Sequence, residues 1–374
     1  MLALLDVAWD LPVERRSAPA PKEFVTLPTA RLQRPSNGGR SVRIALDCLG
    51  TDEAPASEIA GAILALDERL DDFTLVLVGD QESIAKGLSR IKSRSRKRLE
   101  VVHAPDRILA CDSPAQTVRR RPDSSIVAGI RLQKEGEVDA FVSAGSTGAI
   151  MAASLILLRP LPGVARPAIG TLLPTLKEPT LMLDAGANVD CKPHHLLQFA
   201  HLGTIYAQDL MNVEEPRVGL LNIGKEPVKG DELSLEAHTL LKRSRLHFVG
   251  NVEGREIIGG ACDVLVCDGF VGNVLLKFYE SVAELTTHLL TREMKRDGTT
   301  MDLEEVFRVL DYVEYGGAPL LGVNGVSIVC HGHSPPRAIQ KAISVASQAV
   351  RSDMVGHITK ELSGDAYELG PRGS

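Results

Sequence analysis

The sequence lacks the marks of several large protein classes. None of the apolar stretches in its 374 residues approaches the roughly 20 residues of a membrane-spanning helix. The six cysteines show no CxxC spacing, so neither a zinc site nor a dithiol redox motif is expected. Neither GxGxxG nor GxxxxGKS/T occurs, which argues against a Rossmann dinucleotide site and against a P-loop. We therefore predict no metal and no cofactor.

Aromatic residues and positive charge are also scarce. Phe, Trp and Tyr make up 4% of the chain, whereas there are 33 glycines, a balance that favours closely packed β-α units over an aromatic-rich sandwich. The formal net charge is −6, so general nucleic-acid binding is not expected. The N-terminal MLALLDVAWD has no basic leader and its apolar run breaks early, unlike a secretory signal. We predict a cytoplasmic protein with reduced thiols.

The chain divides into three parts by composition. Residues 1–40 mix Pro, Gly, Ser and Arg without apolar periodicity, which predicts a flexible N-terminal extension. Residues 41–355 form a single α/β domain with a helical protrusion at about 275–315. Residues 356–374 are predicted to be a C-terminal tail.

Apolar strands alternate with helices from residue 42 onwards. This alternation predicts a three-layer α/β/α fold with a mostly parallel sheet. The strands at 166–175 and 179–188 are close enough to pair as a hairpin, which makes the sheet mixed. The other predicted strands are 42–47, 73–79, 99–104, 138–145, 217–224, 246–251, 263–269 and 325–332.

Seven predicted strands end in a polar turn that contains glycine. Ligands bind at the carboxyl ends of strands in open α/β sheets, so we expect the seven turns to converge on one crevice at one edge of the sheet. Generic turns between strands and helices also favour Gly and Asn, which is the alternative. The turns are DCLGTD, SAGSTGA, DAGAN, NIGKE, GNVEGR, DGFVGN and HGHS.

The turn Gly145, Ser146, Thr147, Gly148 lies at a junction between a strand and a helix. Glycine permits a tight turn and close backbone approach to a ligand, and a helix start with bare N–H groups attracts anions. We predict an anion or oxyanion cradle here, with hydroxyl donors from Ser146 and Thr147. A well-capped turn is the alternative.

The ordered motifs between residues 42 and 350 resemble those of the PlsX family of phosphate acyltransferases. They are IALDCLGTDEAP, FVSAGSTGAIMAAS, RPAIGTLLPT, LDAGANVDCKPHHLLQFAHLGTIYA, VGLLNIGKEPVKGDEL, FVGNVEGREI, VCDGFVGNVLLK and YGGAPLLGVNGVSIVCHGHS. The resemblance implies a homodimer with the fold of phosphotransacetylases and isocitrate/isopropylmalate dehydrogenases. It implies transfer of an acyl group from acyl carrier protein to inorganic phosphate, which feeds bacterial phospholipid synthesis through a downstream membrane acyltransferase.

Several positions depart from the usual family pattern. Asp47-Cys-Leu-Gly-Thr-Asp52 stands where DAMGGD is common, and the basic segment Arg119 to Ser125 carries Pro122 in place of Lys. These changes retain backbone chemistry and most of the charge. The region from Lys277 to Tyr315 is shorter than in many members, which puts membrane contact in doubt.

The resemblance implies site residues at the matching positions. Lys229 is the predicted phosphate cation, with a solvated loop lysine as the alternative. Asn273 is a ligand residue or merely a helix N-cap, and Arg255 could pair with Glu253 instead of leaving that carboxylate for substrate. Further substrate-binding candidates are Asp184, Asn188, Lys192, Asn251, Glu253, Asp268 and Ser334. Asp184 and Asn188 could alternatively only hold their turn, and Ser334 followed by Pro335 could be an N-cap.

His331 ends a predicted buried strand. A histidine there could protonate the departing thiolate, and a structural hydrogen-bonding histidine is the alternative. No cysteine is predicted to be a nucleophile, because direct attack by phosphate needs no acyl-enzyme.

Two basic segments are candidates for docking acyl carrier protein, which is acidic in general character. The first contains Arg94, Arg96, Lys97 and Arg98, and the second contains Arg119 and Arg120. A solvated surface is the alternative for the first segment.

The helix that begins near Val271 carries an apolar face. A core or dimer contact is its expected use, and weak peripheral contact with the inner face of the cell membrane remains open. Its charged residues Glu280, Glu284, Arg292, Lys295 and Arg296 fit either an interface or water.

Three functions compete with the acyl transfer that the resemblance implies. They are a short-chain phosphotransacetylase that uses coenzyme A, a dehydrogenase on the related fold, and a non-catalytic membrane scaffold. A dehydrogenase would need a nicotinamide site, and seven polar turns serve no purpose in a scaffold.

Overall fold

The computed structural model describes residues 41–68, 73–91, 94–297 and 316–363. The side chains of residue 94, residues 293–297 and residue 363 are outside this description. The predicted extension 1–40, the second part of the predicted protrusion and residues 364–374 also lie outside the described residues.

One sheet of eleven strands runs through the described part of the chain. The strands are β1 Val42–Asp47, β2 Phe73–Gly79, β3 Leu99–His103, β4 Ala140–Ser143, β5 Ala168–Leu173, β6 Thr180–Leu183, β7 Val218–Asn222, β8 Phe248–Glu253, β9 Val264–Val266, β10 Ala318–Leu321 and β11 Val326–Val329. Their order across the sheet is β3-β2-β1-β4-β11-β10-β5-β6-β9-β7-β8. Most strands coincide with the predicted apolar runs, and the predicted hairpin is β5 with β6.

Helices cover both faces of the sheet, as the three-layer prediction requires. They are α1 Ala56–Asp67, α2 Gln81–Ser89, α3 Pro114–Arg120, α4 Ser125–Lys134, α5 Thr147–Leu157, α6 Pro193–Met211, α7 Glu232–Arg243, α8 Gly254–Ile257, α9 Gly269–Asp297, α10 Pro336–Arg351 and α11 Met354–Ser363, with a 3₁₀ helix at Arg94–Arg98. Successive strand residues point to opposite faces. Ile44 and Leu46 pack into one apolar core with α1, α6 and α10, whereas Ala45 packs into a second core with α4 and α5.

The sheet consists of two parallel halves that run in opposite directions. β1, β2, β3, β4 and β11 are parallel to one another, and so are β6, β7, β8 and β9. Three antiparallel pairings, β11 with β10, β10 with β5 and β5 with β6, lie between the halves. An odd number of reversals makes the halves antiparallel, so their carboxyl ends lie at opposite edges. We call these the Gly145 edge and the Asp184 edge.

The prediction that seven turns share one edge is therefore wrong. The turns after β1, β4 and β11 lie at the Gly145 edge, and those after β6, β7, β8 and β9 lie at the Asp184 edge. The cause is β10, which the sequence analysis missed because its four residues include Pro319 and are flanked by glycines. Without β10 the sheet has one reversal of strand direction fewer, and the two halves would be parallel with their carboxyl ends at one edge.

The domain continues beyond its predicted boundary at residue 355. Residues 354–363 form α11, whose Ile358 and Leu362 are buried in the same core as α6. The predicted tail therefore begins inside a packed helix. Ile358 and Leu362 are four residues apart, so they lie on the same face of this helix and both contact the core.

Candidate active site

A cavity of about 880 Å³ crosses the middle of the sheet between α5 and α9. Small-molecule sites commonly have volumes of about 300–1,000 Å³. Its floor is formed by β5 with the start of β10, and Leu172, Leu173, Met151 and Leu276 make much of its wall apolar. Because β10 has only four residues, the cavity reaches turns at both edges of the sheet. The predicted site residues that line it are Gly145, Thr147, Gly148, Asn273, His331 and Ser334.

The turn at the start of α5 forms one end of the cavity. Ser146 is the N-cap, and its hydroxyl accepts the Ala149 N–H at 3.4 Å. The first N–H groups of an α-helix have no partner within the helix, and at Thr147 and Gly148 they belong to residues that line the cavity. The turn is therefore well capped and also suited to an anion, so the two alternatives from the sequence are compatible.

The buried carboxylate of Asp47 is linked to this turn through Ser143. The Ser143 hydroxyl donates to Asp47 at 2.6 Å and accepts the Gly145 N–H at 3.0 Å. Burial raises the pKa of Asp47 above its ordinary value, and the hydrogen bond from Ser143 acts in the opposite direction. The end of β1 thus fixes the turn after β4.

The three turns of the Gly145 edge contact one another. A Cβ on Gly50 would lie 2.8 Å from backbone atoms of Ala144 and Gly145, so only glycine allows this approach. The Asp52 N–H donates to the Gly332 carbonyl at 2.9 Å, and His333 Nε2 lies 3.3 Å from Asp52 Oδ2. These contacts bring the His331–Ser334 loop to the mouth of the cavity.

Asp184 holds the turn after β6 rather than facing the cavity. Its buried carboxylate accepts N–H groups from Ile169, Gly186, Ala187 and Asn188 at 2.7–3.3 Å, and it also accepts from the Asn188 side chain at 2.9 Å. Burial raises its pKa, while these donors act in the opposite direction. The alternative role predicted for Asp184 and Asn188, holding the turn, is the one that the contacts support.

The start of α9 carries Asn273 into the cavity. The Asp268 carboxylate accepts the Phe270 and Val271 N–H groups at 2.9 and 3.0 Å, so Asp268 caps this helix. The N-cap alternative for Asn273 is therefore wrong. Asn273 lies one turn into α9, against Gly186, and lines the cavity with its amide-bearing side chain.

Charged and polar side chains join α9 to the loop after β11 at the wall of the cavity. His331 Nε2 lies 3.2 Å from Glu280 Oε1, and Lys277 Nζ donates to Glu280 Oε2 at 2.9 Å. All three residues line the cavity. Sequence reasoning assigned Glu280 to the charged surface of its helix, and no spacing in the sequence links it to His331.

Ser334 and Cys330 complete this end of the cavity. Ser334 is buried and lines the cavity, and the N-cap of α10 is Pro335, so the predicted capping role of Ser334 is wrong. Burial raises the pKa of the Cys330 thiol to about 12. A thiol with so high a pKa is a poor nucleophile, so Cys330 is not a candidate for attack on the substrate.

Besides Ser146, Asp184, Asn188 and Asp268, four more predicted site residues lie outside the cavity lining. Lys229 is exposed on the turn after β7. Asn251 is buried, with its amide between the Glu226 carbonyl at 2.9 Å and His238 Nδ1 at 2.9 Å. Glu253 pairs with Arg255 at 2.8 Å, the alternative named above. Lys192 is the exposed N-cap residue of α6. Their strands end at the Asp184 edge, which explains the separation of Lys229, Asn251 and Glu253 from the Gly145 turn.

The two basic segments lie at different places in the fold. Residues 94–98 directly precede β3, at the edge opposite the Gly145 turn, and the Arg98 guanidinium donates to the Leu66 carbonyl and lies over the Phe73 ring. Arg119 and Arg120 are exposed on α3, which packs against α5. A Cβ on Gly148 would approach Pro114 of α3 within 2.9 Å, so the second segment is the one beside the cavity.

The side of α9 that faces away from the cavity carries an exposed apolar stripe. Its members are Phe270, Val274, Phe278, Val282, Leu285 and Leu289, each between 40% and 65% exposed. Leu276 and Tyr279 face inwards, and the Tyr279 hydroxyl donates to the Pro174 carbonyl at 2.5 Å. The predicted single apolar face is thus two faces, one in the cavity and one in solvent. Within the described ranges, no helix combines the length and hydropathy needed to cross a membrane.

The arrangement of the sheet places this chain in a known structural class. A phosphotransacetylase from Streptococcus pyogenes superposes with a TM-score of 0.54 and 16% identity, over 84% of this chain and 95% of that one. EutD phosphotransacetylase from Staphylococcus aureus gives a TM-score of 0.53 at 15% identity, over 83% and 95%. At these identities the likeness defines the fold alone, which is the fold expected from the sequence.

The family follows from the sequence itself. The family model described as "Fatty acid synthesis protein" matches residues 42–356, and the chain belongs to this family. It is similar to the phosphate acyltransferase of Heliobacterium modesticaldum, with 48% identity over 86% of this chain and 98% of that protein. It is also similar to the phosphate acyltransferases of Desulforamulus reducens, at 46% over 87% and 98%, and Thermoanaerobacter pseudethanolicus, at 44% over 88% and 99%. The predicted family is confirmed.

Proposed function

We propose that this protein transfers a long-chain acyl group from acyl carrier protein to inorganic phosphate, and releases acyl phosphate for phospholipid synthesis. The observation that carries the proposal is the cavity between α5 and α9, which joins a largely apolar wall to a helix N-terminus rich in backbone N–H groups. Membership of a family whose relatives are named phosphate acyltransferase supports the same reaction.

The two halves of the cavity suit the two substrates. The acyl chain would lie along Leu172, Leu173, Leu276 and Met151, where burial of each CH₂ contributes about 0.8 kcal/mol. Phosphate would lie at Gly145 to Gly148, where N–H groups and the positive end of the α5 dipole favour an anion. The thioester carbonyl then lies between the two, close to His331 and Asn273.

The chemistry requires positioning, charge stabilisation and one proton transfer. A phosphate oxygen bonds to the carbonyl carbon, the C–S bond breaks, and its electron pair remains on sulfur. The sulfur takes a proton from the His331 imidazolium. The proton that phosphate releases on becoming the acyl phosphate dianion restores the imidazolium, so protons and charge balance.

Lys277 is a better placed cation for phosphate than Lys229. Lys277 lines the cavity, whereas Lys229 is exposed outside its lining. Lys277 is shared with Glu280 at 2.9 Å, which limits how tightly it would hold phosphate. Asn273 would donate its amide N–H groups to the thioester oxygen or to phosphate.

We propose that acyl carrier protein docks beside α3. Arg119 and Arg120 are exposed there, and α3 adjoins the cavity through Pro114 and Gly148. Residues 94–98 lie at the opposite edge, and Arg98 is already engaged with Leu66 and Phe73. A phosphopantetheine-linked chain must enter the cavity directly, which favours the nearer segment.

We also propose that a second copy of this chain covers the exposed stripe of α9. An uncovered row of this length is unusual on a soluble monomer. The stripe could instead contact a membrane. Light scattering and vesicle flotation of the Leu285→Glu variant separate these two uses. Loss of the dimer would support the homodimer, whereas loss of flotation with an intact dimer would support contact with the inner face of the cell membrane instead.

The proposed reaction is tested with purified protein, inorganic phosphate and palmitoyl–acyl carrier protein, by trapping acyl phosphate with hydroxylamine. Palmitoyl–coenzyme A and acetyl–coenzyme A are the matched donors. We expect hydroxamate from the carrier-linked palmitoyl donor that requires both protein and phosphate. Product from acetyl–coenzyme A alone would contradict the proposal and indicate a short-chain phosphotransacetylase.

A further inference from the structure

Glu280 joins α9 to the loop after β11 across the cavity. Its side chain is 24% exposed, and its carboxylate lies between Lys277 Nζ at 2.9 Å and His331 Nε2 at 3.2 Å. α9 is itself anchored to the end of β5 by the hydrogen bond from Tyr279 to Pro174. The carboxylate is therefore presented to the imidazole by a helix that is fixed against the sheet.

The position of a carboxylate at Nε2 has two consequences for the imidazole. It fixes the ring orientation, because a hydrogen bond between Nε2–H and Oε1 is lost when the ring turns. It also makes the bond a strong one, since a hydrogen bond to a carboxylate is roughly twice as strong as one between neutral groups. An imidazole held in one orientation is placed to deliver a proton to the departing thiolate as a general acid.

We infer that Glu280 is a positioning residue that orients His331 for protonation of the departing thiolate. The inference rests on the proposed function. Lys277, at i−3 on the same helix, donates to the other carboxylate oxygen at 2.9 Å and so restricts the rotamers of Glu280. No contact of Glu280 with substrate is needed for this role.

The primary test is the turnover of Glu280→Gln with palmitoyl–acyl carrier protein and phosphate. Glutamine retains an oxygen at Oε1 but removes the charge. We expect kcat to fall by about 10- to 100-fold, part of the roughly 10²- to 10⁴-fold contribution of a general acid, with little change in KM. Glu236→Gln is the matched control, since it removes the same charge from an exposed position on α7 outside the cavity lining, and it should keep most of the activity.

The leaving group distinguishes positioning from a general structural defect. A palmitoyl thioester of an aromatic thiol releases a weakly basic thiolate that needs no proton, so Glu280→Gln should lose less than about threefold with it. Equal losses with the aromatic and the carrier-linked thioesters would overturn the inference. So would a further loss when Glu280→Gln is added to His331→Asn, because residues that act as one unit are not additive.

The activity of the wild-type protein separates failure of the proposed function from failure of the role inferred for Glu280. If the wild type forms no acyl phosphate from either thioester, the proposed function fails. If the wild type is active and Glu280→Gln turns over as fast as Glu236→Gln, the function stands and the role of Glu280 is refuted.

Discussion

Ser143 donates its hydroxyl to the buried carboxylate of Asp47 at 2.6 Å, and this bond ties the turn after β4 to the end of β1. The same hydroxyl accepts the Gly145 N–H. Two neighbouring parallel strands thus determine where the N–H groups of the glycine turn point.

We predict that Ser143→Ala lowers both stability and turnover. The change removes a donor from a buried carboxylate and an acceptor from Gly145, so a loss of about 1–3 kcal/mol in the free energy of unfolding is expected. Urea titration measures it. Ser154→Ala is the matched control, because its buried hydroxyl has no hydrogen-bond partner among the described residues, and its loss should cost little. Equal stability of the two variants would contradict the role of Ser143.

Gly50→Ala is predicted to displace the glycine turn. The new Cβ would lie 2.8 Å from backbone atoms of Ala144 and Gly145, and backbone cannot yield as a side chain can. We expect a strong loss of kcat/KM together with a lower Tm. Gly254→Ala is the control, since a Cβ there meets nothing within 4 Å. A Gly50→Ala protein as active as Gly254→Ala would show that this approach is unimportant.

β10 and the contact of Glu280 with His331 are the two features that the sequence does not predict. Long apolar strands such as β2 were predictable because near-continuous apolar runs end at glycine turns. β10 was not predictable, since Pro319 and the flanking glycines are typical of a loop. Without β10, strands β6 to β9 were predicted to run in the same direction as β1. The turn that carries Lys229 was therefore placed at the same edge of the sheet as the Gly145 turn. The contact of Glu280 with His331 depends on tertiary packing of α9, which periodicity does not report.

Substitutions of Lys277 and Lys229 are expected to differ in their effect on the KM for phosphate. We predict that Lys277→Met raises the KM for phosphate by about tenfold, equivalent to about 1.4 kcal/mol, because Lys277 lines the cavity. Lys229→Met should change it by less than about twofold, since its exposed side chain lies outside the lining. Steady-state kinetics with phosphate as the varied substrate measures both. The reverse ranking would restore Lys229 as the phosphate cation and move the anion site to the Asp184 edge.

Charge reversal is predicted to locate the docking surface for acyl carrier protein. Arg119→Glu with Arg120→Glu should raise the KM for the carrier-linked donor several-fold and leave palmitoyl–coenzyme A little affected, because long-range attraction to an acidic partner is lost. Lys97→Glu, which is exposed at the opposite edge, is the matched control. The difference should shrink as salt rises, since the Debye length falls to about 3 Å at 1 M. A larger effect from Lys97→Glu would favour the first basic segment instead.

The last prediction concerns pH and the start of α6, which follows the Asp184 turn. His195 Nδ1 accepts the Lys192 N–H at 3.0 Å, so the neutral imidazole closes the first turn of the helix. Burial, followed by the nearby positive charges of His194, Arg166 and Lys192, lowers the pKa of His195 to about 4. The ordinary value in an unfolded chain is about 6.5.

The sign of the effect follows from these two values. Between about pH 6.5 and pH 4 the unfolded chain binds a proton at His195 that the folded protein does not, so stability rises with pH in that window. The contribution is complete above about pH 6.5 and is lost as the pH falls towards 4. Urea unfolding at pH 7.5 and pH 5 should therefore show a smaller loss on acidification in His195→Gln, whose amide oxygen can accept the same N–H without titrating. If both proteins lose the same stability between these pH values, His195 is not the group responsible, and the acid sensitivity of the fold arises elsewhere.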